Sequence, residues 1–263
     1  MSEVSPVTRP VFTSDALADH VIVVTGASRG IGAAIAVACA EAGADMAVGY
    51  RDRSNGASAT VEAVRERGRE AEAFQADVRN PDQVAAMIEA IVDRFGRIDG
   101  LVNNAGVMPE SRVVDMTVDE WRHVIDVDLT GAFLCSRAVL PGMLERGSGS
   151  IVMISSRLGQ IGFAGVSHYS AAKAGMIGLA KSLAREVGPD GVRVNVVAPG
   201  VTVTDMTTDI TTGDVGARRL AELPLGRFAT GDEVAASVVF LLSDAAVLYH
   251  GQTLCPNGGG HMP

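Results

Sequence analysis

A buried strand, a glycine-rich turn and a helix follow one another directly near the start of the chain. Residues 20–24 form a continuously apolar, β-branched run, which is typical of a strand buried on both faces of a parallel sheet. The turn at 25–32 has the spacing Gly-x-x-x-Gly-x-Gly, and an alanine-rich helical pattern then runs to Ala42, with Gly43 as its cap. The free N–H groups of such a helix N-terminus suit a pyrophosphate, although a tight turn without a ligand is the other interpretation.

Strand and helix patterns alternate along the rest of the chain. Further strands are predicted at 46–50, 71–76, 98–102, 150–156 and 192–198. Helices are predicted at 57–67, from 81 to about 95, within 117–145 as one helix or two, and at 172–187. We therefore expect an α/β fold with one doubly wound (Rossmann-like) parallel sheet and helices on both faces. Residues 1–16 are interpreted as a flexible N-terminal arm and 17–263 as a single domain.

The overall composition argues against several classes of partner. A formal net charge of −9 disfavours nucleic acid. The sequence has no uninterrupted apolar run long enough to span a bilayer, and its first residues lack the apolar core of a signal peptide. Three scattered cysteines and five histidines show no ligand spacing, so free thiols are expected and no metal site. We expect a cytoplasmic protein that binds neither nucleic acid nor membrane.

The residues at the end of the second predicted strand favour NADP(H) over NAD(H). An acidic residue at this place binds the adenosine ribose in NAD proteins, whereas an arginine accommodates the 2′-phosphate of NADP. Here Tyr50 is followed by Arg51, Asp52 and Arg53, and Arg29 lies inside the glycine turn. Asp52 would instead favour NAD(H) if the strand ended one residue later, and solvated loop charges are a further interpretation.

Tyr169 and Lys173 stand four residues apart, the spacing of one helix face. A phenol titrates near pH ~10, and an adjacent ammonium lowers that value by favouring the phenolate. The pair would then exchange a proton with an alcohol or ketone oxygen as a general acid/base. These two residues alone would also fit an accidental meeting on a partly buried helix.

Together these features resemble the short-chain dehydrogenase/reductase family in its single-domain form, from about Leu17 to the C-terminus. The matching motifs are Thr25-Gly26-x-x-x-Gly30-x-Gly32, Asn103-Asn104-Ala105-Gly106, Ser156 thirteen residues before Tyr169-x-x-x-Lys173, and Pro199-Gly200. Residues 251–254 and 257–259 look like the family's last strand and tail, which implies a sheet of about seven strands. The outline is similar to bacterial 3-oxoacyl-acyl carrier protein reductases.

The resemblance implies roles for the matching residues. Tyr169 would be the general acid/base, Lys173 would lower its pKa and hold the nicotinamide ribose, and Ser156 would bind the substrate oxygen. The residues implied to bind the cofactor are Gly26, Ser28, Arg29, Gly30, Ile31, Gly32, Tyr50, Arg51, Asp77, Val78, Asn104, Ala105, Gly106, Tyr169, Lys173, Pro199, Gly200, Thr202 and Thr204. The family also implies a homotetramer or homodimer, with the helices around 121–144 and 172–187 between subunits.

Three residues depart from the family pattern or carry a separate question. Asp128 stands where many family members carry an asparagine that is thought to hold a water linked to the lysine. Asp128 is kept among the catalytic residues, and we expect activity to survive with a changed rate or pH profile. His168 would line the substrate cleft or lie half-buried in a loop. Arg157 would meet an acidic substrate or, as the favoured interpretation, carry a solvated charge.

The predicted function is an NADP(H)-dependent oxidoreductase that interconverts a small-molecule ketone and a secondary alcohol. One alternative is a true 3-oxoacyl-acyl carrier protein reductase, but Pro141 and Asp190 stand where that group can offer arginines for its acidic carrier. Two further alternatives are an NAD-dependent sugar or alcohol dehydrogenase and a non-catalytic regulator that binds NADP(H). A regulator would be free to lose the serine, tyrosine or lysine, whereas this sequence has all three at the family spacing. Residues 202–225, polar and turn-rich, are predicted to form the substrate lid.

Overall fold

A parallel sheet of seven strands runs through the computed structural model, which describes residues 15–262. The strands are β1 Val21–Val24, β2 Asp45–Tyr50, β3 Ala71–Gln75, β4 Gly100–Asn103, β5 Gly149–Ile154, β6 Val192–Val197 and β7 Thr253–Leu254. Their spatial order is β3-β2-β1-β4-β5-β6-β7, and every neighbouring pair is parallel. Because the order reverses between β1 and β4, the crevice at the carboxyl ends of these strands is the expected ligand site.

Helices cover both faces of this sheet, as the doubly wound prediction requires. They are α1 Gly30–Glu41, α2 Ser54–Arg65, α3 Pro81–Phe95, α4 Val118–Ile125, α5 Gly131–Arg146, α6 Leu158–Ile161, α7 Ser167–Val187, α8 Thr208–Thr211, α9 Gly213–Ala221 and α10 Gly231–Leu242. Apolar residues of α1, α2 and α10 pack with the sheet in one buried cluster, and those of α3, α5 and α7 pack in a second. The predicted fold class is therefore confirmed.

Several element boundaries differ from the sequence prediction, and two of the differences affect the site. The helix α7 begins at Ser167 rather than at 172, so Tyr169 lies within its first turn. The region predicted at 117–145 consists of α4, which Thr117 and Glu120 start with a reciprocal capping box, a π-helical turn at Asp126–Thr130, and α5. The predicted arm lies outside the described residues, except that Asp15 and Ala16 belong to a turn before β1.

The segment Val118–Arg146 is long enough to span a membrane, and its most apolar 18-residue window has a mean hydropathy of 1.2. Its inner face carries Leu134, Cys135, Val139 and Met143, which pack in the second buried cluster. Half of this window is buried inside the protein, so the length and composition of the segment are weak evidence for a membrane span.

Candidate active site

A cavity of about 350 Å³ lies at the carboxyl edge of the sheet, where the glycine turn faces the start of α7. All of the residues predicted above as catalytic or cofactor-binding line this cavity. Apolar residues that the sequence analysis did not single out line it as well, among them Met108, Leu158, Met206 and Ile210. Met206 and Ile210 belong to the segment predicted as the lid, so that segment does border the cavity.

The glycine turn is built around close backbone contacts that exclude side chains. Gly26 has a φ of +65°, and a Cβ there would lie 2.9 Å from the Cα of Ala105. A Cβ on Gly32 would lie 2.4 Å from the Nδ2 of Asn104. Asn104 donates hydrogen bonds from Nδ2 to the carbonyl oxygens of Thr25 (2.9 Å) and Gly26 (3.1 Å). Its side chain therefore fixes the shape of the turn, a role that the sequence prediction had not assigned to it.

The N-terminus of α1 offers its free N–H groups to this cavity. Arg29 makes no side-chain cap there, and the first turn of the helix carries no acidic residue. An anion would therefore meet unpaired donors and the positive end of the helix dipole without a competing carboxylate. The turn and the helix fit a dinucleotide pyrophosphate.

A buried ion pair connects Lys173 with Asp128. The Nζ of Lys173 lies 3.1 Å from the Oδ2 of Asp128, and the Asp128 side chain is fully buried. Lys173 also donates a 2.9 Å hydrogen bond to the carbonyl oxygen of Ile154, while Oδ1 of Asp128 accepts one of 2.9 Å from the backbone N–H of Val107. The π-helical turn presents this carboxylate to α7. Burial opposes the charge on Lys173, but the charges of Asp128 and Tyr169 outweigh it and raise the pKa of the lysine.

The Tyr169 phenol lies beside this pair and titrates above its ordinary range. The Nζ of Lys173 is 5.4 Å from the centre of the Tyr169 ring. Burial is the largest cause of the raised pKa of Tyr169; Lys173 and the Ser156 hydroxyl lower it, whereas the Asp128 carboxylate raises it further. Lys173 thus lowers the pKa of Tyr169, as expected. Burial and Asp128 raise that pKa by more, so the phenol stays protonated.

The end of β5 is tied to α7, which brings Ser156 close to Tyr169. Ser155 donates a 2.7 Å hydrogen bond from Oγ to the carbonyl oxygen of Lys173. A Cβ on Gly159 would lie 2.7 Å from the carbonyl carbon of Lys173, so α6 packs directly on the backbone of α7. Both contacts are made to the backbone of Lys173, so they hold the segment that carries Ser156 against the helix that carries Tyr169.

The arginines predicted to bind the 2′-phosphate are paired with neighbouring acids. The Nε of Arg51 lies 2.5 Å from Oδ2 of Asp52, and Nη1 of Arg29 lies 3.3 Å from Oδ2 of Asp205. All four side chains are at least 38% exposed, so each pair is worth little and can exchange its carboxylate for another anion. Asp52 also lines the cavity, because β2 ends at Tyr50 and the next residues turn along its rim.

Asp77, predicted to flank the adenine, has its carboxylate engaged by Arg79. Both Asp77 oxygens accept hydrogen bonds from the Arg79 guanidinium, at 2.9 and 3.0 Å from Nε. This arginine lowers the pKa of Asp77 to about 2. Val78 packs nearby, where a Cβ on Gly131 would lie 2.7 Å from one of its methyl groups.

Two interpretations from the sequence are wrong. His168 is fully buried in the first turn of α7 and does not line the cavity, so it is neither a cleft residue nor a half-buried loop residue. Its Nδ1 accepts a 3.0 Å hydrogen bond from the N–H of Tyr169. Arg157 is only 8% exposed and lines the cavity, so it is not the outer-surface charge that the sequence favoured. Asn195, on β6, donates a hydrogen bond to the carbonyl oxygen of Tyr249 and accepts one from the N–H of Gln252, so its role is structural.

Comparison with known proteins was consistent across sequence and structure. A family model described as enoyl-(acyl carrier protein) reductase matches residues 26–261. The 3-oxoacyl-acyl carrier protein reductase FabG of Staphylococcus aureus is 44% identical over 239 residues, covering 91% of this chain and 97% of that protein. Its counterpart from Vibrio cholerae is 42% identical over 246 residues, covering 94% and 99%.

Solved structures agree with these relatives. A short chain dehydrogenase from Burkholderia cenocepacia, crystallised in complex with NADP, superposes with a TM-score of 0.87 at 34% identity. The match covers 93% of this chain and 99% of that protein.

Proposed function

The chain belongs to the short-chain dehydrogenase/reductase family of oxidoreductases, and we propose that it interconverts a ketone and a secondary alcohol with NADP(H) as cofactor. The observation that carries this proposal is a single cavity that joins the uncapped N-terminus of α1 to Ser156, Tyr169 and Lys173. One end suits a pyrophosphate, and the other holds a proton donor beside a hydroxyl and an ammonium.

Each residue at the catalytic end has a chemical role in this proposal. A bound nicotinamide supplies or accepts the hydride. In the reductive direction Tyr169 donates its phenolic proton to the substrate oxygen, and the Ser156 hydroxyl donates a hydrogen bond to the same oxygen. The raised pKa of Tyr169 keeps that proton in place at neutral pH, which favours reduction. Lys173, held protonated by Asp128, stabilises the phenolate that forms.

NADP(H) is proposed over NAD(H) because two cationic side chains border the adenosine end of the cavity. Arg29 and Arg51 both line it, and in each of their exposed ion pairs a phosphate dianion can take the place of the carboxylate. Asp52 is the feature that favours the alternative, an NAD-dependent sugar or alcohol dehydrogenase, since it also lies on the rim. The relative from Burkholderia cenocepacia was crystallised with NADP, which agrees with the first choice.

The relatives' names keep a carrier-protein substrate as the second candidate. FabG proteins of this identity act, by name, on 3-oxoacyl groups held by acyl carrier protein. Asp190 lies exposed in the turn after α7 and would repel an acidic carrier. We therefore propose a free small molecule as the substrate.

We also propose that the protein forms a homotetramer or homodimer and works in a reducing, cytoplasmic compartment. Exposed apolar side chains on α4 and α5, including Val118, Trp121 and Phe133, would be covered between subunits. Light scattering on the purified protein gives the subunit number. All three cysteines lie in the described part of the chain and are free thiols, which fits a reducing compartment.

Parallel fluorescence titrations with NADPH and NADH test the cofactor. We expect NADPH to bind more tightly, and Arg51→Gln to weaken NADPH about 10- to 100-fold while changing NADH little, because one charge-assisted contact to a phosphate is lost. Arg65→Gln is the matched control: Arg65 also makes an exposed ion pair with a nearby acid, but lies outside the cavity. Tight NADH binding with weak NADPH binding would assign the ribose to Asp52 and overturn the choice of NADP(H).

A ketone panel scored by NADPH oxidation tests the reaction. Turnover that disappears in Tyr169→Phe supports the proposed chemistry. A protein that binds NADPH tightly but turns over no ketone and oxidises no alcohol would instead support a cofactor-binding regulator.

A further inference from the structure

Arg157 directly follows Ser156 and is a buried cation in the wall of the cavity. The residue is 8% exposed, and its backbone N–H is held by the carbonyl oxygen of Pro199 at 3.0 Å. Its side chain reaches toward the C-terminal tail, where Nη1 donates a 3.3 Å hydrogen bond to the carbonyl oxygen of Gly260. A Cβ on Gly260 would lie 2.4 Å from that same Nη1, so the tail closes over this side of the guanidinium.

The opposite edge of the guanidinium has no partner within residues 15–262. Neither Nε nor Nη2 of Arg157 donates a hydrogen bond there, and no carboxylate lies within 4.0 Å of it. Both atoms remain accessible, because neither is among the fully enclosed, unpartnered polar atoms of the described chain. The Nε–Nη2 edge is the one that donates two parallel hydrogen bonds to a carboxylate.

The electrostatic surroundings of Arg157 make this edge a place for an anion. Burial lowers the pKa of Arg157, and the charge of Arg219 lowers it further, while Glu222 acts in the opposite direction. Arg219 belongs to α9 in the predicted lid and stacks over Phe163, with its Cζ 4.8 Å from the ring centre. Arg219 does not itself line the cavity, but its charge adds to the positive potential at Arg157, and with no carboxylate within 4.0 Å this edge favours an anion.

We propose that Arg157 selects a substrate carrying a carboxylate, so that the ketone reduced at Ser156 and Tyr169 belongs to an oxo acid. The carboxylate would pair with the free Nε–Nη2 edge, and Arg219 on the lid would add a second positive charge. This inference rests on the proposed ketone reduction and names its substrate class. An acyl chain on a carrier protein is neutral near its ketone and would leave Arg157 unpaired.

The experiment compares ketones that differ only in charge. Acetoacetate and levulinate are each assayed against their methyl esters with NADPH, in the wild type and in Arg157→Gln and Arg157→Lys. We expect the wild type to prefer the acid in kcat/KM by about 100-fold or more, because an ester leaves the buried guanidinium unpaired. Arg157→Gln should bring the acid-to-ester ratio close to one, and Arg157→Lys should give an intermediate ratio because it keeps the charge but not the fork.

Arg218→Gln is the control, because Arg218 lies exposed in the same lid helix outside the cavity, and its ratio should equal that of the wild type. Thermal melting separates specificity from a structural role: Arg157→Gln should melt close to the wild type, since it removes one 3.3 Å hydrogen bond to Gly260 together with a charge that no carboxylate pairs. A wild-type ratio near one, or equal losses on acid and ester in Arg157→Gln, would overturn the inference.

Binding measurements keep the test decisive if neither ketone is turned over. Calorimetry with levulinate, with and without NADP+ present, should show binding that Arg157→Gln abolishes. Absence of levulinate binding to the wild type overturns the inference, while tight NADPH binding in the same protein would leave the proposed function standing. Failure to bind NADPH instead refutes the proposed function itself.

Discussion

Replacing Asp128 by asparagine removes one charge and almost no volume from the centre of the site. The carboxylate uses one oxygen for Lys173, 3.1 Å away, and the other for the N–H of Val107. An asparagine has a single oxygen, so its amide group would face one of these two donors. At 3.1 Å the attraction between the two charges is about 5 kcal/mol for an effective dielectric constant of about 20. Since Lys173 keeps its bond to Ile154, we expect Asp128→Asn to lower the free energy of unfolding by about 3 kcal/mol at pH 7.

The pH dependence of this difference follows from the raised pKa of Lys173. A group whose pKa is higher in the folded state stabilises the protein fully below its unfolded pKa, and that stability is lost as pH rises through the folded value. The unfolded value for lysine is about 10.4. Urea denaturation of wild type and Asp128→Asn should therefore give a difference that becomes smaller above about pH 10. The difference should also become smaller in acid, where Asp128, whose pKa is raised by burial, takes up a proton.

Replacing Asp128 by asparagine should help alcohol oxidation and hinder ketone reduction. The Asp128 carboxylate raises the pKa of Tyr169, so its removal lowers that pKa while Lys173 remains protonated. Alcohol oxidation needs the phenolate, so the rising limb of its kcat/KM profile should move to lower pH. Below this limb kcat/KM should increase tenfold for each ~1.4 kcal/mol of repulsion removed between the Asp128 carboxylate and the phenolate. For ketone reduction the falling limb should move to lower pH by the same amount.

Asp126→Asn serves as the matched variant, because Asp126 lies in the same π-helical turn and is not in contact with Lys173. It should leave both pH limbs in place. An Asp128→Asn profile that coincides with the wild type, or moves to higher pH, would refute the assignment of the Asp128 charge to the Tyr169 proton. Unchanged stability at pH 7 would refute the strength assigned to the ion pair.

Three further predictions concern single contacts. Tyr169→Phe should reduce kcat by at least about 100-fold with little change in the Kd for NADPH, because the ring remains and only the proton donor is lost. Gly32→Ala should weaken NADPH and cost about 1–3 kcal/mol of stability, measured by urea denaturation, because its Cβ would meet Asn104 at 2.4 Å. Arg227→Gln should lower the Tm above pH 4.5 but not near pH 2, since Arg227 lowers the pKa of Glu233 from 4.5 to about 2.

The outcomes that would contradict these predictions are distinct. Retained turnover in Tyr169→Phe would move the proton to another group, whereas Tyr249→Phe, which keeps the edge-to-face ring contact with Phe240, should behave as wild type. Wild-type stability in Gly32→Ala would mean that the glycine turn tolerates a side chain. A Tm difference for Arg227→Gln that persists unchanged at pH 2 would show that its contact with Glu233 is not the cause.

The fold and the location of the site could be predicted because their signals are local or repeated. Buried β-branched runs, helical periodicity and glycine caps recur along the chain as strand and helix alternate. Their order implies a doubly wound sheet, in which the ligand site lies at the carboxyl ends of strands 21–24 and 100–103. The roles of the individual site residues are predictions still, but their meeting at one cavity follows from the ends of these strands.

The contacts that could not be predicted depend on the packing of distant segments. Asp128 meets Lys173 because a π-helical turn between α4 and α5 directs it toward α7, and hydrophobic periodicity does not distinguish that turn from regular helix. Arg157 looks like a solvated charge in the sequence because the tail that covers it, at Gly260, lies in a separate part of the chain. The burial of His168 follows from the earlier start of α7.

These two unpredicted contacts together set the charge at the catalytic end of the cavity. Lys173 and Arg157 place two cations there, and Asp128 neutralises the first but does not touch the second. A neutral ketone would leave the cation of Arg157 unpaired in every complex, whereas an oxo acid would pair it and leave the Asp128–Lys173 pair undisturbed. In the proposed oxo-acid complex Asp128 would keep the lysine paired beside Tyr169, and the substrate carboxylate would pair with the arginine instead.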